Sequence, residues 1–529
     1  MRKGFLKSLS DSRKIKYSTL NGAFIALVIA LVVVLNSIIT TLAQTYNWYI
    51  DMTDEQIFSL SDQSKEILDS VNDEVQLEIV FPYDEDRVSN KFSVSASGGS
   101  IGYIHTTAEE IANACDNITI SYHDVDRDYA FYQETGTLSK AGDNTIIVLR
   151  KDAYGNYVKG DFRAYPINYF YVADQNGALY GYNGELVFMS AILAMSSDTI
   201  PTVYFTVGHG ELSFTGDATV DHFTAETALK NGLLSPDAFE LIWLFCESGF
   251  TVKPLNLMSS DIPSDARMVI INEPQSDFDD SEIYKINSYL RNEGAVFAFT
   301  PYNAELKNLF ASFEQNYGVT VNSSATPVTD DSTKFDNKPN TLLASVSTHD
   351  SSFATQQYFG AVKGYASAKA RFNDTGALKI NPEFMKTTGY QSGMAETRFT
   401  YPLLESSSNA VFNGTKGTSF LMSVTAIERF RQDSGDSSFA YLVVCPSGEF
   451  ASNDFLLSTA APNKNMLLSL IQSTSSVQTP VNLDYKTFMQ YNLDITDRQA
   501  QGTTIALATV LPACAVICGI VVIVRRKHR

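Results

Sequence analysis

Residues 201–211 read Pro201-Thr202-Val203-Tyr204-Phe205-Thr206-Val207-Gly208-His209-Gly210-Glu211. Thr202 to Val207 is a short apolar, β-branched and aromatic run with proline before it and glycines after it, the pattern of a buried strand. Downstream, residues 237–248 read as a helix closed by Gly249, the residue type that best accepts a left-handed helix end. Phe250 to Val252 and Met268 to Ile271 are further strand runs. Asp279 and Glu282 have capping-box spacing, and Ile283, Ile286 and Leu290 share one helical face. Gly294 is expected to end that helix before a strand at Ala295 to Phe299. Such alternation predicts a parallel sheet covered by helices. In open α/β sheets ligands bind at the carboxyl ends of the strands, so Gly208, His209, Gly210 and Glu211 form a candidate ligand or partner loop. The alternative is a tight turn whose His and Glu bond locally to hold the loop.

Nearer the amino end, Ser59 and Asp62 have the spacing of another capping box, and Ile67, Leu68 and Val71 fall on one helical face. Val75 to Phe81 alternates as a strand ended by Pro82, residues 108–114 are helix-like, and Ile118, Ile120 and Tyr122 alternate as a second strand. This strand, helix, strand order predicts a small α/β domain with a thioredoxin-like layout. It lacks Cys-x-x-Cys, which excludes thioredoxin chemistry. Residues 304–420, rich in Ser, Thr and Asn with weak periodicity, read as an irregular extension of the larger domain. Patterning returns with a strand at Tyr441 to Cys445 and a helix at Met466 to Ile471.

The charges are placed unevenly. The chain carries 39 basic against 59 acidic residues in 529, a formal net charge of −20 that disfavours nucleic acid as a partner. Ten of the 39 basic residues and one of the 59 acidic ones lie in residues 1–16 and 525–529, which leaves 29 basic against 58 acidic between them. Next to each basic end is an uncharged apolar run, 20–43 and 503–524, long enough to cross a bilayer. Basic flanks on both outer ends predict two transmembrane helices with both termini cytoplasmic, a two-pass plasma-membrane protein with an extracytoplasmic body. A cleaved signal peptide is the rival reading of the first run. In the second run Ala515 and Gly519, beside Cys514 and Cys518, form a small-residue face suited to contact with another membrane helix.

Chemistry is sparse. No Gly-x-x-x-x-Gly-Lys-Ser/Thr loop is present to cradle nucleotide phosphates. The six histidines show no metal-ligand spacing, and His123 beside Asp124 and Asp126 reads as a solvated acidic turn, so neither metal nor cofactor is expected. Gly98-Gly99-Ser100-Ile101-Gly102 matches a serine-hydrolase elbow, but Ser93 to Ser97 before it makes a poor buried strand. Cys115, Cys246 and Cys445 are an odd set outside the apolar runs and imply no disulfide framework.

Several short motifs follow one another along the chain: Asp51-Met52-Thr53 with Phe58-Ser59-Leu60-Ser61; Asn183-Gly184-Glu185; residues 204–211; Glu273-Pro274 with residues 289–295; Glu449-Phe450-Ala451-Ser452-Asn453; and the closing run ending in Arg525-Arg526. On these the chain resembles the GldG-like, gliding-motility-type auxiliary components of ABC transport systems. The resemblance implies an amidotransferase-like layout for the larger domain and a non-catalytic role beside a separate permease and ATPase. The turns at Gly208-His209-Gly210 and Thr300-Pro301-Tyr302 lack the cysteine an amidotransferase needs. Cys445-Pro446-Ser447-Gly448-Glu449 departs from the family wording, which has an aspartate in that loop.

The expected organisation is therefore a basic tail (1–19), a first span (20–43), a small α/β domain with connector (44–199), a parallel α/β domain (200–475), a linker (476–502), a second span (503–524) and a basic tail (525–529). The expected function is that of a membrane accessory subunit contacting the bilayer and an ABC permease and ATPase. The alternatives are an extracytoplasmic ligand-binding or sensory protein and a hydrolase using His209 or Ser100.

Overall fold

The structure, a computed structural model, describes residues 57–488 apart from 58, 72–74, 85–99, 174–177, 197–199, 349–351, 386–395, 431–436 and 459–460, together with seven isolated helical positions between 27 and 38. The first part of the chain forms α1 (Asp62–Ser70), β1 (Gln76–Phe81), α2 (Ile101–Ala114), β2 (Ile118–Tyr122), α3 (Tyr129–Glu134), β3 (Thr145–Lys151) and β4 (Tyr157–Pro166). Its four strands lie in the order β2-β1-β3-β4, with β1 and β2 parallel and the other pairs antiparallel. Leu77, Ile79, Phe81, Ile146 and Val148 bury one face against α1, α2 and α4 (Gly184–Met195), while Val80, Ile147 and Leu149 pack the other around Tyr132. This is the period-2 alternation of a sheet covered on both faces. A small sheet of β5 (Tyr171–Ala173), β6 (Leu179–Tyr182) and the late β21 (Lys486–Thr487) ties residues beyond 480 back to this part.

The larger part begins with β7 (Thr202–Thr206), α5 (Ala225–Lys230), α6 (Phe239–Glu247), β8 (Thr251–Leu255), β9 (Ala266–Asn272), α7 (Asp280–Leu290), β10 (Ala295–Phe299) and α8 (Lys307–Tyr317). Then come β11 (Val319–Asn322), β12 (Lys334–Phe335), β13 (Lys338–Val346), α9 (Ser352–Phe359), β14 (Lys369–Asn373), β15 (Ala377–Ile380), β16 (Glu396–Glu405), β17 (Val411–Phe412), β18 (Thr415–Lys416), β19 (Phe420–Phe430), β20 (Ser437–Cys445), α10 (Asn453–Leu456) and α11 (Asn463–Ser475). Twelve strands join in one sheet whose main path runs β12-β13-β16-β19-β20-β10-β9-β7-β8. From β8 to β20 neighbours are parallel, and from β20 onward they are antiparallel. Alternate residues serve opposite cores: Val203, Phe205, Ile270, Phe297 and Val443 face one side, and Tyr204, Ile271, Val296, Ala298 and Leu442 the other.

Three sequence expectations are corrected. Among the described residues no helix is long and apolar enough to cross a membrane. The longest continuous one, α2, has 14 residues and spans about 21 Å, short of a hydrocarbon core of roughly 30 Å. This overturns the two transmembrane helices and the two-pass plasma-membrane placement with cytoplasmic termini: an uncharged apolar run is necessary for a crossing but does not by itself make a continuous helix. Only isolated positions of the first run are described, and the second, with Ala515 and Gly519, lies outside the described residues. Second, the large sheet is mixed and not parallel throughout, so the fold is mixed α/β. Third, 304–420 is no irregular extension, for it supplies α8, α9 and much of the antiparallel half; some of its strand positions carry buried hydroxyls, such as Thr341 and Thr400, the latter bonded to Thr425 of β19, and these dilute the apolar signal.

Local signals translate with small shifts. Asp279 and Glu282 form the capping box of α7, whereas α1 is capped by Ser61, whose hydroxyl accepts from the Ser64 amide. The left-handed residue after α7 is Glu293 (φ 67°) and not Gly294, whose Cα lies so close to the Tyr289 ring that a side chain there would collide with it. Gly249, after α6, does take φ 89°, and an added Cβ would sit 2.8 Å from Ala194 Cβ and 3.1 Å from its Cα. Gly249→Ala is therefore expected to cost about 1–3 kcal/mol through backbone strain and the clash, measured as a lower midpoint in urea unfolding.

Candidate functional site

The chain lays β8 on one side of β7 and β9 on the other, so the sheet's topological switch point lies between β7 and β9. This is where open α/β sheets take ligands. The loop of Gly208, His209, Gly210 and Glu211 starts there. Both glycines have positive φ, 116° and 76°, which lets the chain reverse tightly and turn the two side chains inward. The Gln275 and Ser276 amides donate to the His209 carbonyl at 2.7 and 3.1 Å, and Asn272 exchanges two bonds with Leu212. The crevice is thus bridged by backbone from the two loops that frame it.

His209 is 5% exposed and stacks on Phe278 with ring centroids 4.0 Å apart. Its Nε2 lies 3.1 Å from Glu282 Oε2, and its Nδ1 is 3.4 Å from Glu211 Oε1. Glu211 also accepts the His209 amide at 2.7 Å, and Glu282 accepts the Asp279 amide of the capping box at 2.9 Å. Burial alone would lower the pKa of His209, but the two carboxylates outweigh it and hold the imidazole above its ordinary value. Glu211 is held below the usual carboxylate range: burial pushes it up, and the His209 ring with nearby amides pulls it further down. Sequence spacing brought His209 and Glu211 together. It missed Glu282, which enters from a helix that begins 69 residues beyond Glu211.

A second acidic couple lies along the same edge. Glu273, just past β9, has φ 53°, a left-handed conformation uncommon for a residue with a side chain, and its side chain packs directly over Gly448. Burial, then Glu449, then Asp237 push its carboxyl up, while Glu449 accepts from Asn373 at 2.7 Å. Both glutamates belong to motifs picked out in the sequence, but nothing in the spacing says that they meet.

The remaining candidates fall elsewhere. Ser100 opens α2 and its carbonyl accepts from the Tyr171 hydroxyl; Gly98 and Gly99 lie outside the described residues. His123 stacks on Phe131 and contacts Asp128 at 3.3 Å. Among the described residues no group of three or more His, Cys, Asp or Glu side chains is arranged to hold a metal ion. The Cys246 and Cys445 thiols are fully buried, and burial raises the pKa of each well above a reactive thiol's range.

No family model and no curated protein matches the chain. Among solved structures it is similar to the mmIFT52 N-terminal domain at 14% identity, over 52% of this chain and 97% of that one, with a TM-score of 0.34. It is also similar to an apo exo-carrageenase GH42 from Bacteroides ovatus at 9% identity, over 48% of this chain and 29% of that one, with a TM-score of 0.13. At such scores neither likeness defines a shared fold.

Proposed function

We propose that this chain is a non-catalytic accessory subunit of an ABC-type transport system, working beside a separate permease and ATPase as its GldG-like motifs imply. One observation carries the reading: the motifs that lie within the described residues, scattered in sequence, come together in two groups, and the last of them anchors α6. Ser61, from the first, donates its amide and hydroxyl to Glu185 of the second at 2.9 and 2.6 Å. The loop of residues 208–211 is bonded to the segment just after Glu273-Pro274, and Glu273 packs on Gly448, next to Glu449. Asn453, which ends the last internal motif, caps α6 by accepting from the Glu240 amide at 3.0 Å and donates to the Pro236 carbonyl at 2.7 Å.

Motif residues used in this way fix a framework, as a docking body requires, and His209 is held between Glu211 and Glu282. What the switch-point loop offers outward is the exposed backbone of Gly208 and Gly210, which suits a partner contact. An accessory subunit acts on its partners only by contacting their alternative states unequally. ATP hydrolysis by the partner complex, measured with and without this chain, should therefore change when it is removed and recover when it is restored. A rate indifferent to the chain, in a complex that transports normally, would sink the proposal.

A further inference from the structure

Two adjoining cavities, of about 500 and 180 Å³, open between the β5, β6 and α4 region and the segment running from α10 through α11 to residue 485. They share Asn183, Leu186, Leu456, Leu457 and Lys464, so Lys464 stands on the boundary between them. Together they fall in the size range of small-molecule sites. The smaller is walled by Leu186, Leu244, Leu468, Trp243 and Tyr169, and Glu240 and Glu247 also line it. These two carboxylates differ in state. Glu247 is engaged by His222 Nδ1 at 2.9 Å, whereas the Glu240 carboxylate makes no hydrogen bond or ion pair among the described residues.

Lys464 is in the same condition. Its ammonium has no hydrogen-bond or ion-pair partner among the described residues, although Asp484, Glu247 and Glu240 act on it through space. Both residues are half-buried; burial lowers the Lys464 pKa and raises that of Glu240, as expected of charges partly withdrawn from water without a contact partner. Opposite charges on one cavity wall that do not close on each other leave room between them for a molecule bearing both complements.

We infer that this cavity binds a small zwitterion with an apolar body, of the class of free apolar amino acids, its carboxylate on Lys464, its ammonium on Glu240 and its side chain against Leu186, Leu244 and Trp243. A purely anionic ligand would leave Glu240 unpaired, and a purely cationic one would leave Lys464 unpaired, each leaving a half-buried charge covered by ligand without its complement. The inference goes beyond the accessory-subunit proposal and does not depend on it.

The chain has two tryptophans, so Trp48→Phe leaves Trp243 in the cavity wall as the sole reporter. Titration of the full chain with L-leucine should shift Trp243 emission saturably at millimolar or lower concentration. Isopentylamine and 4-methylpentanoate, which carry one charge each, should bind at least about tenfold more weakly. Glu240→Gln and Lys464→Met should each weaken L-leucine binding by a similar factor, with Lys464→Arg retaining much of it. Should Lys464→Met fail to fold, Glu240→Gln decides. Absence of saturable binding of L-leucine, or binding equal for the zwitterion and both single-charge probes, or binding untouched by Glu240→Gln, overturns the inference.

Discussion

Glu185→Ala is expected to lower the unfolding free energy by about 3–5 kcal/mol, the range for breaking a buried ion pair by removing one partner. Glu185 sits in the first turn of α4 and is 7% exposed. Its Oε2 accepts from the Ser61 amide at 2.9 Å, the Ser61 hydroxyl at 2.6 Å and the Ser64 hydroxyl at 2.5 Å, and the Lys486 ammonium pairs with the other oxygen. Lys486 also donates to the Ser59 carbonyl at 2.6 Å, a contact across 427 residues of chain. One carboxylate thus joins α1, α4 and β21. Burial pushes the pKa of Glu185 up, but Lys486 and the two serine hydroxyls outweigh it and leave the group below the usual range. A depressed folded-state pKa gives stability that is present above the unfolded glutamate value of about 4.3 and lost as pH falls through the folded value. Urea unfolding should therefore show a wide gap between wild type and Glu185→Ala at neutral pH that narrows in acid. A gap below about 1 kcal/mol at neutral pH, the worth of an ordinary exposed pair, would contradict the hub.

Below the ordinary histidine value of about 6.5, where the imidazole is charged, His209→Ala should cost a similar amount, about 3–5 kcal/mol, because it leaves Glu211 and Glu282 buried without the cation they share. The pH dependence has the opposite sign. The folded-state pKa of His209 is raised, so its contribution is complete below the ordinary histidine value of about 6.5 and is lost as pH rises through the raised value. The stability gap between wild type and His209→Ala, followed by urea unfolding, should shrink toward alkaline pH while the Glu185→Ala gap stays open. If both gaps moved the same way, the assignment of charge within one of the clusters would be wrong.

The sequence revealed what neighbours in the chain decide. The buried strand at 202–206, the capping box of Asp279 and Glu282 and the left-handed Gly249 each follow from steric or hydrogen-bonding rules that act over a few residues. Gly294 misled because glycine merely permits a left-handed turn, and here Glu293 takes it while Gly294 makes room for Tyr289. The antiparallel half was hidden because its strands bury hydroxyls such as Thr400, Thr425 and Ser423 among apolar side chains. For the candidate site, His209 and Glu211 were visible as a spaced pair. Glu282 was visible only as a helix cap, and Lys464 with Glu240 not at all. Each of these lies on an element brought into place by sheet order, which local spacing does not encode.

The framework is proposed to serve as a docking body for transport partners. Affinity purification of the tagged protein from its native source, with mass identification of whatever is retained, is the decisive experiment. Stoichiometric recovery of a multi-span permease together with an ATPase bearing a phosphate-binding loop is expected. Recovery of the chain without either of them, from material in which both are demonstrably expressed, would contradict it.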